Sequence, residues 1–262
     1  MTRLAVVGGG RMGEALVSGL LSAGWAAPDI TVVEVSAERR AALGDAVPGV
    51  VVASEVVPAD GAIVAVKPGD VEGACRALSD TGVVRVLSIA AGVPTHVLEA
   101  SLGSATAVVR AMPNTPALVG AGVSAIAAGR AAGADDLAWA REILGAVGEV
   151  VAVPEQLLDA VTGLSGSGPA YVFLVVEALV DAGVLAGLPR DVAETLAIGT
   201  VAGAARLLTE TGDSPAELRA AVTSPGGTTA AGLRELERAG VRAAFLDAVT
   251  AATARSRELG GG

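Results

Sequence analysis

The sequence predicts an α/β protein in two parts: a parallel sheet with crossover helices, then an all-helical half. Three observations carry this expectation. Over residues 1–153, short β-branched runs alternate with amphipathic helical patterns, the mark of βαβ units. No strand-like run follows Pro154. The composition is rich in Ala, Val, Leu and Gly and only 2% aromatic, which suits helices packed closely on a sheet.

Strand candidates lie at 4–7, 30–35, 50–53, 62–66, 83–89, 106–109, 122–127 and 147–153. Helical patterns fit between them at 12–23, 37–43, 71–78, 95–100 and 134–144. Ser36 is placed to cap the second of these, and Pro94 stands where the first turn of the fourth would begin. Beyond residue 154 the helical pattern is broken at 163–169, 186–189, 211–215 and 224–227, where glycine and proline collect. A boundary near 154–163 divides the chain into residues 1–155 and 156–262.

A chain of 262 residues is long for one domain and comfortable for two. The net charge of −10 argues against a nucleic-acid partner, because phosphate binding needs clustered Lys and Arg. Cys75 is the only cysteine, so no intrachain disulfide is possible and a reducing compartment is the natural setting. A strand-like run begins directly after Met1-Thr2-Arg3, so no signal peptide is expected. The uncharged stretches 111–129 and 160–176 contain prolines and glycines. Neither is expected to form the apolar helix of roughly 20 residues that crosses a bilayer. A cytoplasmic protein with no membrane partner is therefore expected. His96 is the only histidine, so no metal site is expected and no G-x-S-x-G elbow supports a triad; it reads as a surface or half-buried structural residue. Cys75 reads as core.

The first chemical signal is the run Gly8-Gly9-Gly10-Arg11-Met12-Gly13, a G-x-G-x-x-G at the first strand-to-helix turn. Gly8 permits the tight turn, Gly10 lets backbone approach a pyrophosphate, and Gly13 lets helix and strand pack closely. Glu34 ends the second strand 21 residues after Gly13, near the offset at which a carboxylate binds ribose hydroxyls. That carboxylate favours NADH and repels the 2′-phosphate of NADPH. Arg39 and Arg40 on the next helix could partly offset the repulsion, though a solvated helix face is the simpler expectation for them. Ala65-Val66-Lys67-Pro68 ends the fourth strand at the edge where ligands of such sheets collect, and Lys67 is the only lysine among 18 basic residues. An electrostatic role toward an anionic ligand is expected of it. The loop 110–116, RAMPNTP, is stiffened by its prolines; Asn114 either helps floor a nicotinamide site or bonds its own turn.

The second signal is the turn Ser224-Pro225-Gly226-Gly227-Thr228-Thr229, which opens into a helix. Its N–H groups can form a pocket for a carboxylate, and its two threonine hydroxyls can read a neighbouring polar atom. The alternative is a helix connection with a Ser or Thr N-cap.

Taken with VVGGGRMG at 6–13, AVKP at 65–68, RAMPNTPALVGAG at 110–122 and DAVTGLSGSGPAYVF at 159–173, this turn resembles pyrroline-5-carboxylate reductase along essentially the whole chain. The resemblance implies a Rossmann-type N-terminal domain and a C-terminal all-helical dimerisation domain. It implies reduction of 1-pyrroline-5-carboxylate to L-proline by NADPH or NADH in a homodimer or larger homo-oligomer. By position, Gly8 to Gly13, Glu34, Ala65, Val66, Lys67, Pro68, Ala90 and Ala91 should line the cofactor site. Ser54 is the candidate at the adenosine ribose, where some members carry asparagine. Ser224, Gly227, Thr228 and Thr229 should hold the substrate, with the Thr229 hydroxyl on the ring nitrogen. A β-hydroxyacid dehydrogenase would want a base, often lysine, in the helical half, and none follows Lys67. A nucleotide-sensing Rossmann protein without catalysis would carry a further binding module, and none is visible.

Overall fold

The computed structural model describes residues 2–260. Eight strands form one sheet in the order β3-β2-β1-β4-β5-β6-β7-β8. They are β1 (Thr2–Val7), β2 (Ile30–Val33), β3 (Val51–Ala53), β4 (Ala59–Val64), β5 (Arg85–Ser88), β6 (Ala107–Met112), β7 (Gly122–Ala128) and β8 (Gly148–Ala152). The first six strands are parallel, and the order reverses between β1 and β4. Ligands of such sheets bind at that switch, outside the carboxyl ends of the strands.

Both faces of the sheet are covered, so the strands read as continuous apolar runs rather than alternating ones. Leu4 and Val6 of β1 pack on one face with Leu16 and Leu20 of α1 (Arg11–Ser22), Leu43 of α2 (Ala37–Ala46) and Ile143 and Leu144 of α5 (Ala134–Gly145). Ala5 and Val7 point the other way, onto Cys75 and Leu78 of α3 (Val71–Ser79) and Leu98 and Leu102 of α4 (Thr95–Leu102). Burial pushes the Cys75 thiol up to about 11, so it stays protonated and inert at neutral pH.

The expected parallel sheet has one exception, at β7, which runs antiparallel to β6, with β8 parallel to β7. A parallel return needs a crossover of about a dozen residues or more. The segment 113–121 holds only the 3₁₀ turn Thr115–Val119 and cannot supply one.

The chain packs as two compact units, Met1–Ser167 with Thr250–Gly262, and Gly168–Val249. After β8 come α6 (Leu158–Val161), a π turn (Thr162–Gly166), α7 (Gly168–Leu185), α8 (Arg190–Thr211), α9 (Pro215–Ala221), α10 (Thr228–Arg238) and α11 (Val241–Gly260). The last turns of α11 belong with the sheet, where the Ser256 hydroxyl donates to Asp159 Oδ1 at 2.7 Å. At 163–169 the α-helix is interrupted, by the π turn, in which Ser167 N donates to Thr162 O at 2.8 Å, five residues back, and by a bend at Ser167. Pro169 falls in the first turn of α7, where no N–H is required. Taken through the π turn, Glu155–Leu185 is long and apolar enough, by length and composition, to cross a membrane, as is Arg190–Thr211, which corrects the sequence expectation.

The core of the second unit is small. Val180, Ala193 and Ala197 are its buried apolar side chains, and Gly183 lets α7 and α8 approach closely. Large side chains such as Phe173 and Leu174 stay 60% and 65% exposed in the single chain.

Candidate active site

The three signature glycines occupy three different environments. Gly8 has φ +109°, and a Cβ there would lie 2.5 Å from Ala65 O. A Cβ on Gly13 would lie 2.2 Å from Gly8 O, so this glycine sets how closely α1 meets β1. Around Gly10, the residue before α1, a Cβ would meet nothing within 4 Å. The loop therefore closes on itself at Gly8 and Gly13 and opens at Gly10, in front of the first N–H groups of α1. That is the shape a pyrophosphate requires. Arg11 is exposed beside this opening, whereas the Met12 side chain packs on the core.

Glu34 is built into the same loop. Its Oε2 accepts from Gly9 N at 3.1 Å and its Oε1 from Ser36 N at 2.8 Å. Arg39 and Arg40 are not a solvated face, which corrects the sequence expectation. Arg39 Nε donates to Gly9 O at 2.6 Å while its Nη2 pairs with Glu14. Arg40 Nη1 donates to the carbonyls of Glu34 and Val35 at 2.9 and 2.8 Å. The peptide groups around Gly9 are thus held on the N–H side by a carboxylate and on the C=O side by a guanidinium.

Beside this loop lies a cavity of about 800 Å³ lined by Val33, Ser54, Val66, Gly69 and Ala74, at the carboxyl ends of β1 to β4. Ser54, just after β3, is among its lining residues. Ala65 N donates to Val7 O at 2.8 Å, which sets 65–68 next to the glycine loop. Lys67 follows there, exposed and without an ion pair among the described residues.

The Asn114 side chain does not bond its own turn. It is 8% exposed, its Nδ2 donates to Ser165 O at 3.1 Å, and its Oδ1 accepts from Val123 N at 2.9 Å. It staples the 110–116 loop to the π turn and to β7. Ala90 is buried and Ala91 exposed in the loop after β5. A network the sequence reading missed closes this region. Glu155 accepts from Thr95 N, Thr95 Oγ1 and Arg110 Nη1 at 2.7, 2.5 and 3.1 Å. Burial alone would raise the Glu155 pKa, but the Thr95 and Arg110 hydrogen bonds and the Arg110 charge outweigh it and hold the carboxyl low. The available signal was Arg110 itself, since a charge inside the apolar strand AVVRAM demands a partner.

The 224–229 turn belongs to the second unit. Gly226 has φ +71°, and Gly227 is the N-cap of α10, with its N–H donating to Ser224 O at 3.0 Å. A Cβ on Gly227 would lie 2.4 Å from Ser224 Oγ. No side chain caps α10 among the described residues, so the Ser or Thr N-cap alternative is not realised. Thr228 and Thr229 fill the first two helical positions, and the helix N-terminus is open to an anion.

A doubly wound sheet with this glycine loop and acidic strand end defines a nicotinamide-dinucleotide oxidoreductase. Two family models match: pyrroline-5-carboxylate reductase dimerisation over residues 155–259, and NADP oxidoreductase, coenzyme F420-dependent, over residues 3–92. The pyrroline-5-carboxylate reductase of Mycobacterium leprae is 46% identical, covering 99% of this chain and 97% of that protein. The structure of a pyrroline-5-carboxylate reductase from Coxiella burnetii superposes with a TM-score of 0.93 at 38% identity, covering 98% of each chain. That of Plasmodium falciparum pyrroline carboxylate reductase with NADP bound gives 0.86 at 29% identity, covering 99% of this chain and 98% of that one. The chain belongs to the pyrroline-5-carboxylate reductase family.

Proposed function

We propose that this chain reduces 1-pyrroline-5-carboxylate to L-proline with NADH or NADPH, as a cytoplasmic homodimer or larger homo-oligomer. Residues 1–155 hold the nucleotide, and residues 156–262 hold the substrate and associate with a second copy. The observation that carries this reading is the glycine cradle, filled by packing at Gly8 and Gly13 and open at Gly10. The reduced nucleotide supplies a hydride when bound. The chain's own task is to hold the ring and keep water away, because a protonated cyclic imine already accepts hydride at its C=N carbon.

The N–H groups at the start of α10 hold the substrate carboxylate, with Ser224 and Gly227 shaping the turn. The Thr228 and Thr229 hydroxyls read the ring, Thr229 at the nitrogen. Lys67 adds positive potential at the crevice, and Asn114 acts by holding its loop. Glu34 makes NADH the preferred nucleotide. Its carboxylate cannot swing aside without orphaning Gly9 N, and both nearby arginines are already engaged. The apolar faces of α7 and α8 are covered by a second subunit rather than by lipid, a reading supported by the dimerisation match over the same residues. Purified protein mixed with the pyrroline and each reduced nucleotide should lose nicotinamide absorbance and form proline. No oxidation above background with folded protein would overturn the proposal.

A further inference from the structure

The loop 89–94 between β5 and α4 carries Ala90 and Ala91, and it is fastened at both ends by distant parts of the chain. At one end, α4 begins after Pro94, whose side chain offers no cap. Glu155 supplies the cap instead, from 60 residues away, taking both the N–H and the hydroxyl of Thr95 on its two oxygens. Thr95 is 6% exposed, so little water could replace that carboxylate. Arg110, paired in register with Ser88 at the end of β5, neutralises it. Within the loop, Gly92 turns with φ +74° against the last residues of α11. A Cβ on Gly260 would come within 2.8 Å of Gly92 O. Ala90 and Ala91 lie between Gly92 and Ser88, the last residue of β5, which is paired in register with Arg110.

We infer that Glu155, backed by Arg110, is a positioning residue that fixes Ala90 and Ala91 against the nicotinamide end of the dinucleotide without touching it. The inference rests on the proposed dinucleotide site. A plain N-cap needs only a hydroxyl or amide oxygen. Here a charge is used, and a buried arginine is committed to balance it, so the fastening resists displacement when the loop is loaded. Losing the carboxylate leaves Thr95 N and Arg110 without partners and lets the loop shift.

The test separates the two ends of the nucleotide. Binding of NADH and of ADP-ribose, which lacks the nicotinamide, is measured for wild type, Glu155→Gln, Glu155→Ala and Thr95→Ser. The expected result for Glu155→Ala is NADH affinity lower by about tenfold, with ADP-ribose affinity changed by less than about twofold. Glu155→Gln, which keeps the shape and one acceptor, should fall between, and Thr95→Ser, which keeps the hydroxyl, should match wild type. In turnover, KM for the nucleotide should rise in Glu155→Ala while KM for the pyrroline holds. Equal loss for both ligands, or unchanged affinities with only a lower melting temperature, would overturn the inference. Should Glu155→Ala fail to fold, the Glu155→Gln ratio alone decides: equal effects on both ligands overturn it. Wild type that binds neither ligand would instead sink the dinucleotide reading.

Discussion

Glu34→Gln is the sharpest perturbation of the nucleotide site, because it removes a charge and little else. In the structure the carboxylate accepts from Gly9 N and Ser36 N. A glutamine can keep one of these bonds in the same volume. For a 2′-phosphate in place of the ribose hydroxyl a carboxylate would bind, we take a separation of roughly 5 Å from Glu34. At an effective dielectric of about 20, two unit charges at that distance repel by about 3 kcal/mol. Glu34 is half-buried, and water and salt reduce the net effect to about 1–2 kcal/mol. Wild type should therefore favour NADH by roughly five- to thirtyfold in kcat/KM. Glu34→Gln should bring the two nucleotides close to parity. Glu34→Ser should move further toward NADPH, with weaker NADH binding through the lost ribose contact. Steady-state kinetics with both nucleotides at low ionic strength measure the ratio, and added salt should narrow it. A wild type that prefers NADPH tenfold, or a ratio that Glu34→Gln leaves unchanged, would refute the argument.

Three other outcomes are expected. Thr229→Ala should lower kcat/KM by roughly ten- to a hundredfold, the loss of one hydrogen bond to a charged partner, while nucleotide affinity holds. Its melting temperature should hold too, because Gly227 and not Thr229 is the N-cap; a destabilised variant with unchanged efficiency would return Thr229 to the scaffold. The depressed Glu155 pKa stabilises the fold above the unfolded value of about 4.3, and the contribution disappears as pH falls through the folded value. The stability gap between wild type and Glu155→Gln should thus be constant above about pH 6 and begin to narrow as pH falls past about 4.3; a gap that widens in acid would reverse the sign. Finally, light scattering at micromolar concentration should give at least twice the chain mass, and Leu174→Glu, on an exposed apolar stretch, should shift it toward monomer.

Eight strands and the five helices between them were legible in the sequence because each reports its own burial locally. A strand covered on both faces is a largely apolar run, and the buried stretches 4–7, 30–33 and 62–64 of β1, β2 and β4 read that way. Direction was not legible for β7, since period and composition are the same for either sense of a strand. Only the short link 113–121 decides it. The 163–169 cluster was legible as an interruption of the α-helix, but its form, a π turn and a bend rather than an open loop, was not. In the site, the glycine spacing was legible, because Gly13 answers to the backbone of Gly8 nearby, although Gly8 itself turns against Ala65 at the end of a distant strand. The residues whose bonds local pattern does not display are the polar ones whose partners are remote. Arg39 meets Gly9 across 30 residues, Arg110 meets Glu155 across 45, and Asn114 meets Ser165 across 51. In a chain with only 18% charged residues, each such side chain carries information that periodicity ignores. Arg39 and Arg110 both brace loops at the carboxyl edge of the sheet and neither forms its floor. The precision of a site that needs little acid–base chemistry therefore resides in long-range polar bonds, and those are what a local pattern cannot display.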